Sequence, residues 1–491
     1  MSVDLLILTS IILPLFGALL ISRLDRIPNV REMVTLLVST ALLIVVVGLY
    51  GHLEHMSDAT LVLAQPFAGM EIAFSLNPLG MLFALIAAIL WLVTSIYASG
   101  YMRAHHEKHQ TRFYALFAIA ISAVMAIAFA DNLFTLFLFY EILTLSTYPL
   151  VTHSGDEKAK RSGRIYLGVL MGTSIGLFLP AMLIIWHFTG NLQFTQGGVL
   201  GDHIPSEWIA LIYALFIFGI GKAAVMPMHK WLPAAMVAPT PVSALLHAVA
   251  VVKAGVFAIL KITIFIFGPE ALNLSGANHW IIWFPMATIL LASFIAMTKD
   301  NLKERLAYST ISQLSYIVLG AVLANSLGLL GASLHIAMHA FAKISLFFAA
   351  GAILVTAHKT KVSELSGLGR TMPFTFLVFL IGSLSIVGLP PFGGMWSKWY
   401  LLLASMDFSG PEGTKWALLV TLLLSSLLNI AYLVVIPVKA FFSPLPAGQS
   451  AKINEAPLPC IIGMAIPAVF CVYLFFYPEP FYSLAKAAVF P

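Results

Sequence analysis

The 491-residue chain is 60% hydrophobic and only 10% charged, with a formal net charge of +5 at pH 7. A soluble domain averages about 25% charged residues, so a chain this apolar cannot clothe a water-facing surface of its size. An outer-membrane barrel is excluded too, because strand-like alternation over about ten residues is absent.

The apolar residues come in uninterrupted runs of about 18 to 25, the length at which a helix crosses a hydrocarbon core of about 30 Å. The first run, 3–22, carries Asp4 where a signal peptide needs a basic start, and no small-x-small cleavage site follows. It continues into Arg23 and Arg26, so it reads as a retained helix. Further spans follow at 33–51, 76–100, 113–130, 133–152, 165–188, 208–229, 240–267, 280–298, 306–324, 328–357, 373–405, 416–438 and 457–477. The pattern predicts an all-α, polytopic membrane protein of about 14 transmembrane helices. The longest connections, 52–75 and 189–207, read as loops too short for a soluble domain. Cys460 and Cys471 lie in the last span as small apolar residues; two thiols hold neither an iron–sulfur cluster nor a disulfide framework.

The connections test this path. With the N-terminus outside, the inner side receives Arg23, Arg26, Arg31, Arg103, Lys108, Arg112, Lys158, Lys160, Arg161, Arg164 and Lys230. The same side then receives Lys299, Lys303, Arg305, Lys359, Lys361, Arg370, Lys439 and Lys452, against only Lys415 and Lys486 opposite. A positive-inside bias that alternates at every loop supports fourteen crossings with both termini outside. It also accounts for the positive net charge without a nucleic-acid partner.

A few ionisable residues remain within the spans, where a charge costs about 2.5 to 3.5 kcal/mol at the bilayer centre. They are Glu141, Lys222, His247, Lys253, Lys261, His335, His339, Lys343 and Lys398. Lys261 lies near the outer end of its helix and is expected to snorkel to the interface. Glu141, in FYEILTLSTYPLV, is the acid at mid-span. Lys222 stands in GIGKAAVMPMHKWLP, where glycines and Pro227 weaken the helix, and Lys398 follows the same kind of break in GLPPFGGMWSKW. Broken helices at membrane depth line protein or a water-filled cavity, and two of them in corresponding positions indicate inverted repeats. Helices four to eight and nine to thirteen would be those repeats. The implied segments are 1–112, 113–267, 280–441 and 457–491.

In HIAMHAFAKISLFFAAG, His335, His339 and Lys343 recur every four residues and form one polar stripe about 12 Å long. The HxxxH pair lacks a third ligand, so no metal is expected, and nothing marks a cofactor site. His247 and Lys253, six apart, do not share a face. Taken in order, Glu141, Lys222, Lys253, His335, His339, Lys343 and Lys398 predict a polar axis in the membrane plane, with His247 beside it, carrying protons with the help of water.

PMHKWLPAAMVAPTPVSALLHAVAVVKAG (227–255), DNLKERLAYSTISQLSYI (300–317), HIAMHAFAKISLFFAAG (335–351) and GLPPFGGMWSKW (388–399) resemble the antiporter-like membrane subunits of respiratory complex I and of Mrp-type Na+/H+ antiporters. The resemblance covers nearly the whole chain. It implies fourteen helices in two inverted five-helix repeats, in a multi-pass protein of a bacterial inner membrane. It also implies a helix-five glutamate at Glu141, its helix-seven lysine partner at Lys222, a connecting lysine at Lys253 with His247 beside it, and a terminal exchange residue at Lys398. By length, by Lys398 and by the lack of a long lateral helix after helix fourteen, the chain is most similar to the D subunits of Mrp antiporters. That kinship implies H+ and Na+ as transported ions and A-, B-, C-, E-, F- and G-type subunits as partners. Proton pumping in complex I or a membrane-bound hydrogenase is the alternative, with electrons flowing through other subunits. Inert scaffolding or a quinone site is disfavoured by so many costly buried charges.

Overall fold

The computed structural model describes residues 2–53, 60–201, 203–445 and 452–490. Residues 1 and 491, the outermost positions of the expected first and last segments, lie outside them. In chain order the helices are α1 (Val3–Ser22), α2 (Pro28–Tyr50), α3 (Pro78–Ala104), α4 (Gln110–Phe129), α5 (Leu133–Val151), α6 (Glu157–Thr189) and α7 (Ser206–Gly219). Then come α8 (Thr240–Phe267), α9 (Ala277–Thr298), α10 (Leu302–Val322), α11 (Ser326–Ala357), α12a (Pro373–Val387), α12b (Gly394–Met406), α13 (Glu412–Phe442), α14 (Leu458–Phe476) and α15 (Glu479–Val489). Among the described residues, 11 helices are long and apolar enough to cross a membrane by length and composition.

Polar residues placed at the ends of apolar runs start many of these helices. Asn77, Asn132, Asp156, Asn301 and Asn325 each accept a backbone N–H from three residues on, supplying a partner to an otherwise orphaned donor. Proline at the first helical position opens α2, α3 and α12a, where its missing N–H costs nothing.

The connections gather at two ends. At one, Ala130 bridges Phe74, Asn132 bridges Gln193, and the N–H of Val199 reaches Ile266 O. At the other, Arg112 Nη2 donates to His153 O, Asn301 bridges Lys361, and Lys303 Nζ donates to Ala238 O. At this second end Asp300 accepts from the N–H and hydroxyl of Ser363, which hold its carboxyl below the usual aspartate range. Odd- and even-numbered connections thus segregate, as a chain running back and forth requires.

Two features differ from the sequence reading. The 52–75 connection is not all loop: β1 (Leu61–Phe67) and β2 (Met70–Phe74) pair antiparallel around Gly69, whose φ of +74° suits a tight reversal. Glu32, placed just before a span by hydropathy, lies inside α2 near its start, buried and paired with Arg31 and Arg103. Charges neutralised in pairs at a helix end escape a hydropathy window.

The bundle centre decides what the buried charges meet. α8 is buried along its whole length, and α3, α4 and α11 over most of theirs, whereas α2, α6, α13 and α14 are largely exposed on their outer faces. The lysines and histidines of α8 and α11 therefore face protein and not lipid.

Candidate functional site

The first break lies between α7 and α8. The helical ladder stops at Gly219, turns through a short 3-10 segment at Gly221–Ala223, and reaches Ala224 in a left-handed conformation with φ +56°. Trp231 Nε1 donates to the freed carbonyl of Gly221 at 2.9 Å, so the break is satisfied by protein. It aims the fully buried Lys222 back at α5, where Nζ donates to Tyr140 O at 2.8 Å and to Thr144 Oγ1 at 2.5 Å. The ammonium also lies over the Tyr140 ring, and the tyrosine hydroxyl accepts the Lys222 N–H. Glu141 sits one residue further on in α5. Its carboxylate oxygens are buried and accept no hydrogen bond, with Lys222 and the Ser174 hydroxyl within electrostatic reach. The glutamate and lysine are thus neighbours without a closed contact.

The second break separates α12a from α12b. Gly388, at φ +87°, ends the first half, and the backbone of Gly394 passes so close to Ser385 O that no side chain fits there. Lys398 Nζ donates to the carbonyl of Val387 and to Ser426 Oγ, each at 3.1 Å, and lies 4.8 Å from the centre of the Tyr316 ring. Both buried lysines therefore bond a carbonyl, a hydroxyl and an aromatic face beside a broken helix.

Between the breaks, the α11 stripe is present. The His335 and His339 rings stack 5.9 Å apart, and Tyr316 stacks on His335. His335 Nδ1 contacts Ser397 Oγ at 2.8 Å, one residue from Lys398. His339 Nδ1 contacts Lys253 Nζ at 2.6 Å, so α8 and α11 meet through their ionisable groups. Lys343 donates to Ser309 Oγ, which also accepts from Tyr432. His247 lies in a π-helical stretch, Leu245–Val249; it is fully buried, with neither ring nitrogen bonded. The structure brings Lys253, His339, His335 and Lys398 into one chain of contacts, while Lys222 and Glu141 form a second group.

Lys261 does not snorkel. It is 1% exposed, and Nζ donates to Ala130 O at 2.5 Å between the rings of Phe194 and Phe257. The α4 C-terminus, whose last carbonyls lack helical partners, attracts the cation instead. The sequence reading also missed Thr144, Tyr140, Ser309, Ser397 and Ser426, which hold the lysines and histidines. Hydroxyls on apolar helices are common, and one sequence does not say which of them face a lysine.

The family model described as NADH:quinone oxidoreductase/Mrp antiporter, TM matches residues 130–436. A second, described as NADH-Ubiquinone oxidoreductase (complex I), chain 5 N-terminus, matches residues 67–114. NADH-quinone oxidoreductase subunit N of Desulforudis audaxviator is 32% identical over 91% of this chain and 88% of its own length. The chain belongs to this NADH:quinone oxidoreductase/Mrp antiporter family. Members are polytopic, proton-conducting membrane transporters, and the chain is accordingly a multi-pass, ion-transporting membrane subunit. Hydrogenase-4 component B of Escherichia coli is 28% identical over 84% of the chain, which spans 63% of that relative. The family fold recurs in an archaeal membrane-bound sulfane sulfur reductase complex (TM-score 0.84, 24% identity, 98% of this chain and 96% of that one). It recurs equally in the Mrp complex of Dietzia sp. (TM-score 0.84, 21% identity, 100% and 97%). Both neighbours come from complexes.

Proposed function

We propose that the chain is the proton-translocating subunit of an Mrp-type Na+/H+ antiporter in a bacterial inner membrane, with A-, B-, C-, E-, F- and G-type subunits as partners. The carrying observation is the buried line Lys253–His339–His335–Ser397 ending beside Lys398, with Lys222 and Glu141 at the other break. Each lysine bonds neutral partners only, so it can lose and regain a proton without breaking an ion pair. In this reading Glu141 and Lys222 exchange charge, Lys253 and the α11 histidines relay the proton, and Lys398 passes it out, with water filling the gaps.

The same proposal gives fourteen crossings with both termini outside. Segment 1–112 packs beside two inverted repeats, 113–267 and 280–441, and 457–491 follows. The matching environments of Lys222 and Lys398 support the repeats. The segregation of the basic connections to one end supports the orientation.

The similarity to a quinone oxidoreductase subunit N over 91% of the chain favours a second reading, a proton-pumping subunit of a redox complex. Purifying the complex from its host separates the two, since iron–sulfur and flavin proteins accompany the redox form alone. For either reading, vesicles containing Glu141→Gln or Lys222→Ala complexes are expected to assemble but to lose proton movement. Wild-type movement by either variant overturns the mechanism.

A further inference from the structure

The proton line described so far has no entrance. On the end that carries the basic connections, Glu107 lies in the turn after α3, its side chain 17% exposed. Its carboxylate contacts His105 Nδ1 at 2.9 Å and lies 3.9 Å from His153 Nε2. The His105 ring stacks on Tyr101, and the Tyr101 hydroxyl accepts from Thr240 Oγ1 at the first residue of α8. From there Thr240, Ser243 and His247 follow three and four residues apart, on one face of α8, and all three are fully buried. Ala238 O, just before this stripe, accepts both Lys303 Nζ at 2.5 Å and the Ser243 hydroxyl at 3.4 Å. Lys303 is within electrostatic reach of Glu107 on one side and of His247 on the other, and His247 is within reach of Lys343.

Two observations separate this stripe from ordinary helix packing. His247 is a buried imidazole with neither nitrogen bonded, although such a group normally finds partners. It sits where α8 widens into a π-helical turn, a distortion that frequently marks functional positions.

We infer that Glu107, Lys303, Thr240, Ser243 and His247 form the entrance through which protons from the basic end reach the buried line, with Lys303 excluding metal cations. The inference rests on the proton-translocating reading above. The Glu107, His105 and His153 cluster collects a proton at the surface, and the hydroxyls of Thr240 and Ser243 order the water that conducts it. His247 takes the proton on one ring nitrogen and releases one from the other toward Lys343, so only N–H and O–H bonds change. A Na+ ion following the same route meets the Lys303 ammonium, which can give up a proton but cannot move aside without leaving Ala238 O, its one hydrogen-bond acceptor among the described residues.

Accessibility tests the route without requiring transport. In the full complex, with Cys460 and Cys471 replaced by alanine, Ser243→Cys is treated with a small, anionic, membrane-impermeant thiol reagent from either side of oriented vesicles. Thr240→Cys serves as a second position, and Ser154→Cys, in the exposed turn before α6, as the reactive control. Modification is expected from the Ser154 side only, quickened several-fold by Glu107→Gln, which removes a like charge from the path of the anionic reagent, and followed by loss of most proton movement. Modification from the opposite side alone, or of neither position while Ser154→Cys reacts, overturns the entrance. Those outcomes are independent of Glu141 and Lys222, so the entrance and the translocation reading fail separately.

Discussion

At the residue scale, the lysines of the site are held by neutral groups, and this sets what each substitution does. Lys222 Nζ has two hydrogen-bond acceptors, Tyr140 O and Thr144 Oγ1, and the backbone carbonyl cannot be mutated away. Thr144→Val keeps the shape and removes the hydroxyl. A hydrogen bond to a charged group contributes about 1.5–3 kcal/mol, so the charged state of Lys222 becomes less accessible by that amount. Proton movement through the Thr144→Val complex is expected to slow by about tenfold or more, with assembly intact. Dye-monitored proton flux at the wild-type rate would show that the hydroxyl is dispensable and that the Tyr140 carbonyl and ring suffice to hold Lys222. The positions of Glu141, Lys222 and Lys398 were legible in sequence because a charge in an apolar run is conspicuous. Thr144 was not, since a threonine in such a run is ordinary. Lys261 was misread for a related reason: depth along a helix says nothing about a carbonyl across the bundle, and its ammonium is buried against Ala130 O.

At the scale of elements, the two broken helices work because a neighbour passes very close to each. Gly255 of α8 lies against the break in α7, where an added Cβ would come within 2.5 Å of the Lys222 carbonyl carbon and of Ala223 N. Backbone atoms in a packed segment cannot yield, and overpacking of this kind costs about 1–3 kcal/mol. Gly255→Ala is therefore expected to lower the thermal stability of the complex and to abolish transport, although no ionisable group is removed. A variant with unchanged melting and unchanged flux would mean that the α7 break tolerates displacement, contrary to the tight placement of Lys222. Most helix positions followed from hydropathy to within a few residues, because lipid demands long apolar runs. However, α6 starts at Glu157 and not 165, and α7 ends at Gly219 and not 229, where the break begins. The π-helical turn at Leu245–Val249 and the hairpin at 61–74 did not follow, since both depend on partners distant in sequence.

At the scale of the whole molecule, the number of crossings is open to a decisive count. Among the described residues, eleven helices satisfy length and composition, and those that do not are α7, α10, the two halves of α12 and the short α15. α7 and α12 fall short because the breaks that position Lys222 and Lys398 divide them. α10 is long enough, at 21 residues, but begins with Lys303, Glu304 and Arg305. If each of these still crosses, seven spans separate Ser154 from Ser409, and the two residues lie on opposite sides. If none crosses, four spans separate them and they share a side. The contacts favour the first arrangement: Asn301 at the start of α10 meets Lys361, whereas Asn325 at its far end meets Ala404 after the α12 break. An impermeant thiol reagent is expected to label Ser154→Cys and Ser409→Cys from opposite faces of sealed vesicles. Labelling from one face would remove one or all three of the α7, α10 and α12 crossings and, with them, the proposed inverted relation between the halves.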